Sequence, residues 1–564
     1  MILEELKAKI VAALKLSKAE FSYPPRPEMG DISLACFDLA QERQLSPAAV
    51  AAELAEQARA DEGLKVYFKS IEPVGPYLNF SIAVECLARQ VLDEVGRRQG
   101  DYGSNQVGIG RKVMIEYSNG NTHKEYHVGH LRNIAYGDAV CHLLAASGCE
   151  AIPVSYVNDF GIHVAKTIWQ WQRNKEYRDR AGSQGYLLGQ CYADASRALA
   201  ADPTAHEEVG HIMKQIESRI GESYQTWKET RLWSIRYFAE IYKELGVKFR
   251  HIFYENEVIG AGLKLVAELT ERGILKKSQG AIIADLEEYG LGVLPVVRSD
   301  GTALYAVADL ALASEKFRKY GLDESVYIVD VRQSLYFKQL FKILELVGFR
   351  QTLVHLTYDF VTLPEGMMAS RTGNVISYQE LRDKVVAKLT KETAMRHSDW
   401  SSARIARVVH TLAVASMKFE MLKVSPDKTI TFNIEEALRF DGYTACYLEY
   451  GYARFSSIIR KRGFRLFKET LDPARLTEAK EKELLIKIAK YPKTVWLARE
   501  NHNPSEITKY LFELVQLAND YYHEINILKA DPPVRAARLA LTRSIVQVLR
   551  NGFTLLGIKP LDEM

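Results

Sequence analysis

The chain has 564 residues, of which 47% are hydrophobic and 26% charged, as in ordinary globular proteins. This composition excludes wholesale disorder, a collagen-like fibre and a coiled-coil rod, and no run approaches the roughly 18 apolar residues of a membrane span. The net charge of +3 at pH 7 is unevenly distributed, because residues 401–564 carry 26 Lys and Arg against 19 Asp and Glu. A basic C-terminal third indicates a polyanionic partner such as a nucleic acid.

The cysteines and the N-terminus indicate the compartment in which the protein works. Six cysteines in a chain of this length, with no C-x-x-C pair among them, predict a reduced protein and argue against a zinc ribbon. The first twenty residues mix lysines with glutamates, so they do not resemble a secretory signal. We therefore expect a cytoplasmic protein with no membrane partner.

Residues 1–108 predict a small α+β domain. Helical patterns at Ser46–Ala60 and Val84–Arg98 flank a strand pattern at Leu78–Ile82. The stretch Gly100–Gly110, rich in Gly, Ser and Asn, is typical of a linker to a second domain.

Residues 109–400 predict a parallel α/β domain. Val113–Tyr117 has the pattern of a strand, a polar turn follows, and a helical pattern occupies Val128–Ala146. A second strand pattern at Ala151–Val157 completes a βαβ unit. Such a unit implies a doubly wound parallel sheet, whose ligands bind beyond the carboxyl ends of the strands.

The remaining segments predict a helical insertion, further strands and a helical domain. The segment from about 166 to 245 is helical and highly charged, which is typical of an insertion. Residues 401–564 are helical almost throughout, and Asn551-Gly552 is expected to loosen the last helix. β-rich runs lie between these two segments at Ala281–Leu286, Gly292–Val297, Ser325–Val331 and His355–Val361.

The tetrapeptide His127-Val128-Gly129-His130 is the first motif that carries chemistry. It opens a predicted helix, whose unpaired N–H groups and partial positive charge suit an anionic ligand. Gly129 lets a base or ribose approach the backbone, the imidazoles can donate hydrogen bonds to phosphate oxygens, and Lys124 adds a full charge. The arrangement fits adenylyl transfer, in which a carboxylate attacks the α-phosphate of ATP. The alternatives are a chance tetrapeptide and a metal site, although no third metal ligand is obvious nearby.

The segment Glu116–Asn133 around this tetrapeptide resembles the class I aminoacyl-tRNA synthetases, and specifically the arginyl-tRNA synthetase family. The resemblance covers essentially the whole chain. It implies a Rossmann-type α/β catalytic domain at 109–400, an N-terminal α+β add-on domain that binds tRNA at 1–108, and an all-α C-terminal anticodon-binding domain at 401–564. Further stretches that match the family in order are Gly30–Ser33, Gly75–Phe80, Asp300–Tyr305 with Asp309, Asp330–Leu335 and Asp441–Tyr450.

The resemblance also implies an activity, arginine–tRNA ligation. L-arginine and ATP, accompanied by Mg²⁺, would form arginyl-adenylate and pyrophosphate, and the arginyl group would pass to the 3′ end of tRNA(Arg). No tightly bound cofactor and no metal-ligating residues are expected, and the expected oligomeric state is a monomer.

An arginine pocket can be predicted from the chemistry of its ligand. A planar, permanently charged guanidinium requires a carboxylate and a flat or hydroxyl-bearing neighbour, which Asp309 and Tyr305 supply from one face if their stretch is helical. An ordinary Tyr–Asp pair on a helix surface is the alternative. Glu116, at a strand end, can accept a hydrogen bond from the α-ammonium group. By resemblance, the arginine-binding set is completed by Ser118, Asn119, Gly120, Asn121, His130 and Gln333.

The second signature of class I synthetases, K-M-S-K-S on a loop over the ATP phosphates, is only partly kept. Met367 replaces its first lysine, and loss of such a charge-assisted contact typically costs about 1.5–3 kcal/mol. Our hypothesis is that Lys124 supplies the missing charge, as the corresponding lysine is thought to do in similar synthetases; a solvated loop lysine is the alternative. The ATP-binding residues expected in the signature are Met368, Ser370 and Arg371.

The basic, aromatic segment Arg454–Lys468 is the candidate tRNA interface. Its cations would neutralise phosphates, and its phenylalanines, with Tyr450 and Tyr452, could stack on unpaired bases. The alternative is a solvated cationic helix end whose phenylalanines lie in the core. The candidate tRNA-binding residues are Tyr450, Arg454, Arg460, Lys461 and Arg462.

A synthetase-like paralogue that binds RNA without charging tRNA is the second functional hypothesis. The degenerate signature loop favours this paralogue. The complete set of arginine-pocket positions and both motif histidines favour the ligase.

Overall fold

The computed structural model describes residues 1–180, 182–362, 376–462 and 471–564. Its N-terminal elements are α1 (Ile2–Ala13), β1 (Glu20–Ser22), β2 (Ile32–Ala35), α2 (Phe37–Arg43), α3 (Pro47–Ala60), α4 (Glu62–Lys65), β3 (Phe68–Val74), β4 (Tyr77–Ile82) and α5 (Val84–Arg98). The strands form an antiparallel sheet in the order β1-β2-β4-β3. Helix α3 begins where the Ser46 hydroxyl accepts the Ala49 N–H, with Pro47 in the first turn.

The second unit is an α/β domain. Its elements up to the third strand are β5 (Lys112–Glu116), α6 (Val128–Ala146), β6 (Glu150–Val157), α7 (Ile162–Arg173), α8 (Gln184–Ala201), α9 (His206–Ser218), α10 (Glu222–Glu244) and β7 (His251–Tyr254). Those that follow are α11 (Glu255–Glu271), β8 (Lys276–Ser278), β9 (Ala281–Asp285), β10 (Val293–Val297), α12 (Tyr305–Tyr320), β11 (Glu324–Asp330), α13 (Ser334–Val347), β12 (Thr352–Tyr358), β13 (Val361–Thr362) and α14 (Tyr378–Arg396).

The main sheet of this unit is parallel, with strand order β12-β11-β5-β6-β7. The chain moves outward from β5 through β6 and β7 and then returns on the other side as β11 and β12. The strand order therefore reverses between β5 and β11, and the carboxyl ends of these two strands diverge to leave a crevice. The predicted helix Val128–Ala146 is confirmed residue for residue, and the two predicted strands beside it are confirmed to within one residue.

The predicted β-rich runs at Ala281–Leu286 and Gly292–Val297 contain strands of a separate antiparallel sheet, β10-β9-β8. The predicted linker Gly100–Gly110 contains no α-helix or strand and connects α5 to β5, and it packs against the C-terminal helices, because the Tyr102 hydroxyl donates to the Ile488 carbonyl at 3.0 Å. One expectation about local structure is wrong. The last helix is not loosened at Asn551-Gly552, since the Asn551 amide donates to the carbonyls of Gln99 and Tyr102 and thereby docks the helix.

The C-terminal elements are almost all helical. They are α15 (Ser402–Leu422), β14 (Ile430–Thr431), α16 (Ile434–Ala437), α17 (Ala445–Arg462), α18 (Ala479–Glu500), α19 (Ser505–Glu524) and α20 (Pro532–Leu555). Lys418 on α15 joins them to α6, because its buried ammonium group donates to Asp138 at 2.8 Å and to the Gly557 carbonyl at 2.7 Å. Within the described ranges, no helix combines the length and the apolar character needed to cross a membrane.

Candidate active site

A cleft of about 270 Å³ opens where the order of the parallel strands reverses. Its walls are the loop after β5, the first turn of α6, the carboxyl end of β11 and the segment from β12 to β13. This is the position at which doubly wound sheets bind their ligands. Six residues predicted from sequence line the cleft, namely Asn119, Asn121, His127, Gly129, His130 and Gln333.

The two motif histidines present hydrogen-bond donors to this cleft. His127 Nδ1 accepts the Gly129 N–H at 3.1 Å, and His130 Nδ1 accepts the His127 N–H at 3.1 Å. Burial, together with the nearby charges of Arg332 and Lys124, lowers the pKa of His127 to about 4. Burial and the neighbouring His127 and Lys124 hold the pKa of His130 well below its usual range. Both rings are therefore neutral at pH 7, and we assign the remaining proton of each to Nε2.

Lys124 lies in the loop that leads to this helix but is not among the residues that line the cleft. Its ammonium group sits 4.9 Å from the centroid of the Tyr192 ring on α8, in cation–π geometry. Its charge also lowers the pKa of both motif histidines, so it stands close to the predicted phosphate site.

Asp309 and Tyr305 both lie on α12, as the predicted pairing requires. Burial raises the pKa of Asp309 to about 6, although a hydrogen bond from the Tyr336 hydroxyl opposes the shift. Tyr305 is 62% exposed and begins the helix. Glu116, the predicted partner of the α-ammonium group, is buried against Lys316 and accepts a hydrogen bond from Asn119 at 3.3 Å.

Glu255 is a candidate functional residue that the sequence analysis missed. It is 7% exposed, and its Oε2 atom is buried without a hydrogen-bond partner in the described structure. Burial, followed by the charges of Asp159 and Asp309, raises the pKa of Glu255 to about 8. The residue directly follows β7, so a carboxylate at the carboxyl end of a parallel strand was the signal that could have found it. An unpaired buried carboxyl group beside Asp309 is suited to a cationic ligand.

Other residues of the cleft also lacked a sequence signal. Asn133, Asp330, Arg332 and Tyr358 line it but were not predicted individually. The Arg332 guanidinium is held by both carboxylate oxygens of Asp330, which places a cation at the mouth of the crevice.

Several predicted residues lie elsewhere. Ser118 is fully buried, and its hydroxyl group bonds the hydroxyl groups of Tyr126 and Tyr242 at 2.9 and 3.0 Å. Gly120 is also buried, where an added Cβ would come within 2.6 Å of the Tyr126 hydroxyl. These two residues are packed inside the loop after β5 and do not line the cleft. The signature residues Met368, Ser370 and Arg371 lie outside the described residues.

The candidate tRNA interface is only partly described. Tyr450 is 39% exposed, and the Arg454 guanidinium lies 4.7 Å from its ring centroid and 5.1 Å from that of Tyr522. Arg460 and Lys461 are exposed on the same helix, α17, and nothing is described of the Arg462 side chain. The expectation that Tyr452 could stack on bases is wrong, because the ring is fully buried; the same holds for Phe455.

Comparison with protein families extends this picture to the whole chain. Residues 94–433 match the family described as tRNA synthetases class I (R), catalytic domain. Residues 1–82 match the arginyl tRNA synthetase N terminal domain, and residues 448–564 match the DALR anticodon binding domain. The matched catalytic domain contains a parallel sheet, and the helix that begins with H-x-G-H lines the crevice of this sheet. These features define a class I aminoacyl-tRNA synthetase. The predicted fold class is thereby confirmed.

Comparisons with individual proteins identify the family within this class. The chain is 35% identical to an arginine–tRNA ligase of Bdellovibrio bacteriovorus, over 96% of this chain and 93% of the relative, and 31% identical to one of Treponema pallidum, over 100% and 98%. Its fold superimposes on the arginyl-tRNA synthetase of Thermus thermophilus with a TM-score of 0.80 and 25% identity, over 100% and 99% of the two chains. The chain belongs to the arginyl-tRNA synthetase family.

Proposed function

We propose that the protein is an arginine–tRNA ligase, which activates L-arginine with ATP and transfers it to the 3′ end of tRNA(Arg). The observation that carries this proposal is the pairing of two sites at one edge of the sheet. Neutral imidazole donors stand at the helix N-terminus, and the buried carboxyl groups of Asp309 and Glu255, which interact electrostatically, form the proposed acidic pocket. The first site suits a polyphosphate, and the second suits a cationic side chain.

The acidic pocket is proposed to hold the arginine substrate. The guanidinium group would lie between Asp309 and Glu255, with the exposed ring of Tyr305 beside it. A planar group with five N–H donors can satisfy both carboxylates at once, which a lysine ammonium group does less well. Glu116 and the remaining predicted residues, Ser118, Asn119, Gly120, Asn121, His130 and Gln333, are proposed to hold or support the α-amino and α-carboxylate end.

The H-x-G-H turn is proposed to bind ATP, with Mg²⁺ as part of that substrate. The Nε2–H donors of His127 and His130 face negative charge that grows on the α-phosphate as pyrophosphate leaves. Gly129 keeps the turn open to the nucleotide, and Lys124 supplies a full charge. The same role is proposed from sequence alone for Met368, Ser370 and Arg371.

The polyanion is proposed to be tRNA, held by the N-terminal domain, 1–108, and the helical domain, 401–564. Their common position on helix α17 supports a tRNA-binding role for Tyr450, Arg454, Arg460 and Lys461. For Arg462 this role is proposed from sequence only. The intervening domain, 109–400, would carry the chemistry. We further propose a monomer that works in the cytoplasm; the sparse cysteine usage supports the compartment.

The test is attachment of radiolabelled amino acids to total tRNA. We expect charging with arginine alone among arginine, lysine, glutamate and cysteine, and only with ATP present. A folded protein that binds tRNA but charges it with no amino acid would instead support the RNA-binding paralogue.

A further inference from the structure

The helical insertion, α7 to α10, contacts the loop that carries Lys124 from two sides. His123 is fully buried, and its ring bonds Thr230 on α10 through Nε2 at 2.8 Å. The His123 N–H donates to the Ser234 hydroxyl, also on α10, at 3.0 Å. Because His123 has a left-handed backbone with φ of 64°, these contacts fix a turn that a side chain otherwise disfavours.

Helix α8 holds the other side of the same loop. Gly189 lies against Glu125. A Cβ added to Gly189 would come within 2.2 Å of the Cγ atom and 2.7 Å of the backbone N atom of Glu125. Three residues further along α8, Tyr192 presents its ring to the Lys124 ammonium group at 4.9 Å. Two helices of the insertion thus contact three consecutive residues of the loop, 123–125.

Such contacts matter because a lysine side chain is long and flexible. Holding an ammonium group at one point costs rotamer entropy, and an aromatic face that attracts the cation reduces the number of positions it samples. The charge of Lys124 lowers the pKa of both motif histidines. The position in which Tyr192 holds the Lys124 ammonium group therefore lies beside the first turn of α6.

We propose that the insertion is part of the ATP site, and that Tyr192 on α8 is a positioning residue that holds the Lys124 ammonium group beside the H-x-G-H turn. The inference rests on the proposed role of Lys124 in binding ATP. It gives the insertion a function in amino-acid activation and assigns Tyr192 an effect on ATP that does not extend to arginine.

The experiment compares Tyr192→Leu with Tyr192→Phe in ATP–pyrophosphate exchange with saturating tRNA, first varying ATP at saturating arginine and then varying arginine at saturating ATP. Leucine removes the aromatic face, so kcat/KM for ATP should fall about three- to tenfold while KM for arginine stays unchanged. Phenylalanine keeps the face and should restore the rate. Tyr224→Leu is the matched control, since Tyr224 faces Lys228 at 5.2 Å in the same insertion and has no described contact with residues 123–125.

A double-variant comparison separates this inference from the role of Lys124 itself. In a Lys124→Ala background, Tyr192→Leu should cause no further loss, because its effect passes through Lys124. An equal loss in both backgrounds would overturn the inference. A slow Lys124→Ala enzyme with a normal Tyr192→Leu enzyme would overturn it as well and leave the role of Lys124 intact. A normal Lys124→Ala enzyme would remove that role, and the inference with it.

Discussion

Lys316 and Glu116 form an ion pair in which only 1% and 5% of the two side chains are exposed. The Lys316 ammonium group also lies 4.5 Å from the centroid of the Tyr327 ring. Burial, the largest single influence, would lower the pKa of Lys316, but Glu116 together with Tyr327 and Asp309 outweighs burial and raises the pKa. Lys316 therefore keeps its positive charge in the interior, next to Glu116.

Replacing Lys316 with methionine should leave Glu116 buried without its partner. Breaking one side of a buried pair typically costs about 3–5 kcal/mol of unfolding free energy, which urea denaturation would measure. Adding Glu116→Gln should recover part of the loss. The exposed pair of Lys112 and Glu150, at 3.8 Å, provides a control, and Lys112→Met should change stability by less than about 1 kcal/mol. Equal losses in both variants would contradict this account.

Lys124→Ala should lower turnover by about tenfold or more, because a charge-assisted contact to phosphate is typically worth about 1.5–3 kcal/mol. Thermal unfolding should change little, since the side chain is only half-buried. Met367→Lys, which restores the usual signature lysine, should rescue the Lys124→Ala enzyme in part. A near-normal rate for Lys124→Ala would show that the phosphate charge is neutralised elsewhere.

The affinity for arginine should rise with pH between about 6 and 8. In the free enzyme Glu255 keeps its proton up to a pKa of about 8. A bound guanidinium favours the ionised carboxylate, so binding releases that proton and strengthens as the pH rises toward 8. Measured as KM for arginine, the dependence should flatten in Glu255→Gln, whose KM at pH 8 should be about tenfold or more higher. An unchanged profile in that variant would exclude Glu255 from the pocket.

Arg132→Met should destabilise the wall of the cleft. The almost fully buried guanidinium donates to the carbonyls of Phe360, Pro426 and Lys428 at 2.8–3.0 Å, and methionine would remove all three hydrogen bonds. The Phe360 and Pro426 carbonyls would keep their backbone N–H partners. Because a hydrogen bond from a charged group typically contributes about 1.5–3 kcal/mol, a loss of about 3 kcal/mol or more in unfolding free energy is expected. Arg111→Met, which breaks a half-exposed pair with Glu324, should cost about 1 kcal/mol or less by the same measurement. Similar values for both would disprove a structural role for Arg132.

Arg454→Gln should weaken tRNA binding uniformly and lower the slope of log Kd against log salt by about one. A filter-binding titration at several salt concentrations measures this slope. Arg350→Gln is the control, because Arg350 is exposed at the amino end of β12, opposite to the cleft edge of the sheet. If both variants keep the wild-type slope, α17 does not contact the phosphates.

The sequence by itself determined the local elements of the site. Helix α6 was predicted residue for residue, because its apolar spacing, its N-terminal histidine and Gly148 are all local signals. Strands β5 and β6 were predicted to within one residue, and the motif residues identified the family because they occur in order along one chain.

Tertiary structure alone decided which carboxylates meet and which rings are exposed. Lys316 is 200 residues from Glu116, and no periodicity connects them. Glu255 comes within electrostatic reach of Asp309 only because helix α11, which Glu255 begins, packs against α12, which carries Asp309. Ser118 and Phe455 are buried because other helices pack over them. Periodicity records a residue's neighbours along one helix or strand, whereas burial and charge pairing depend on elements brought together by folding.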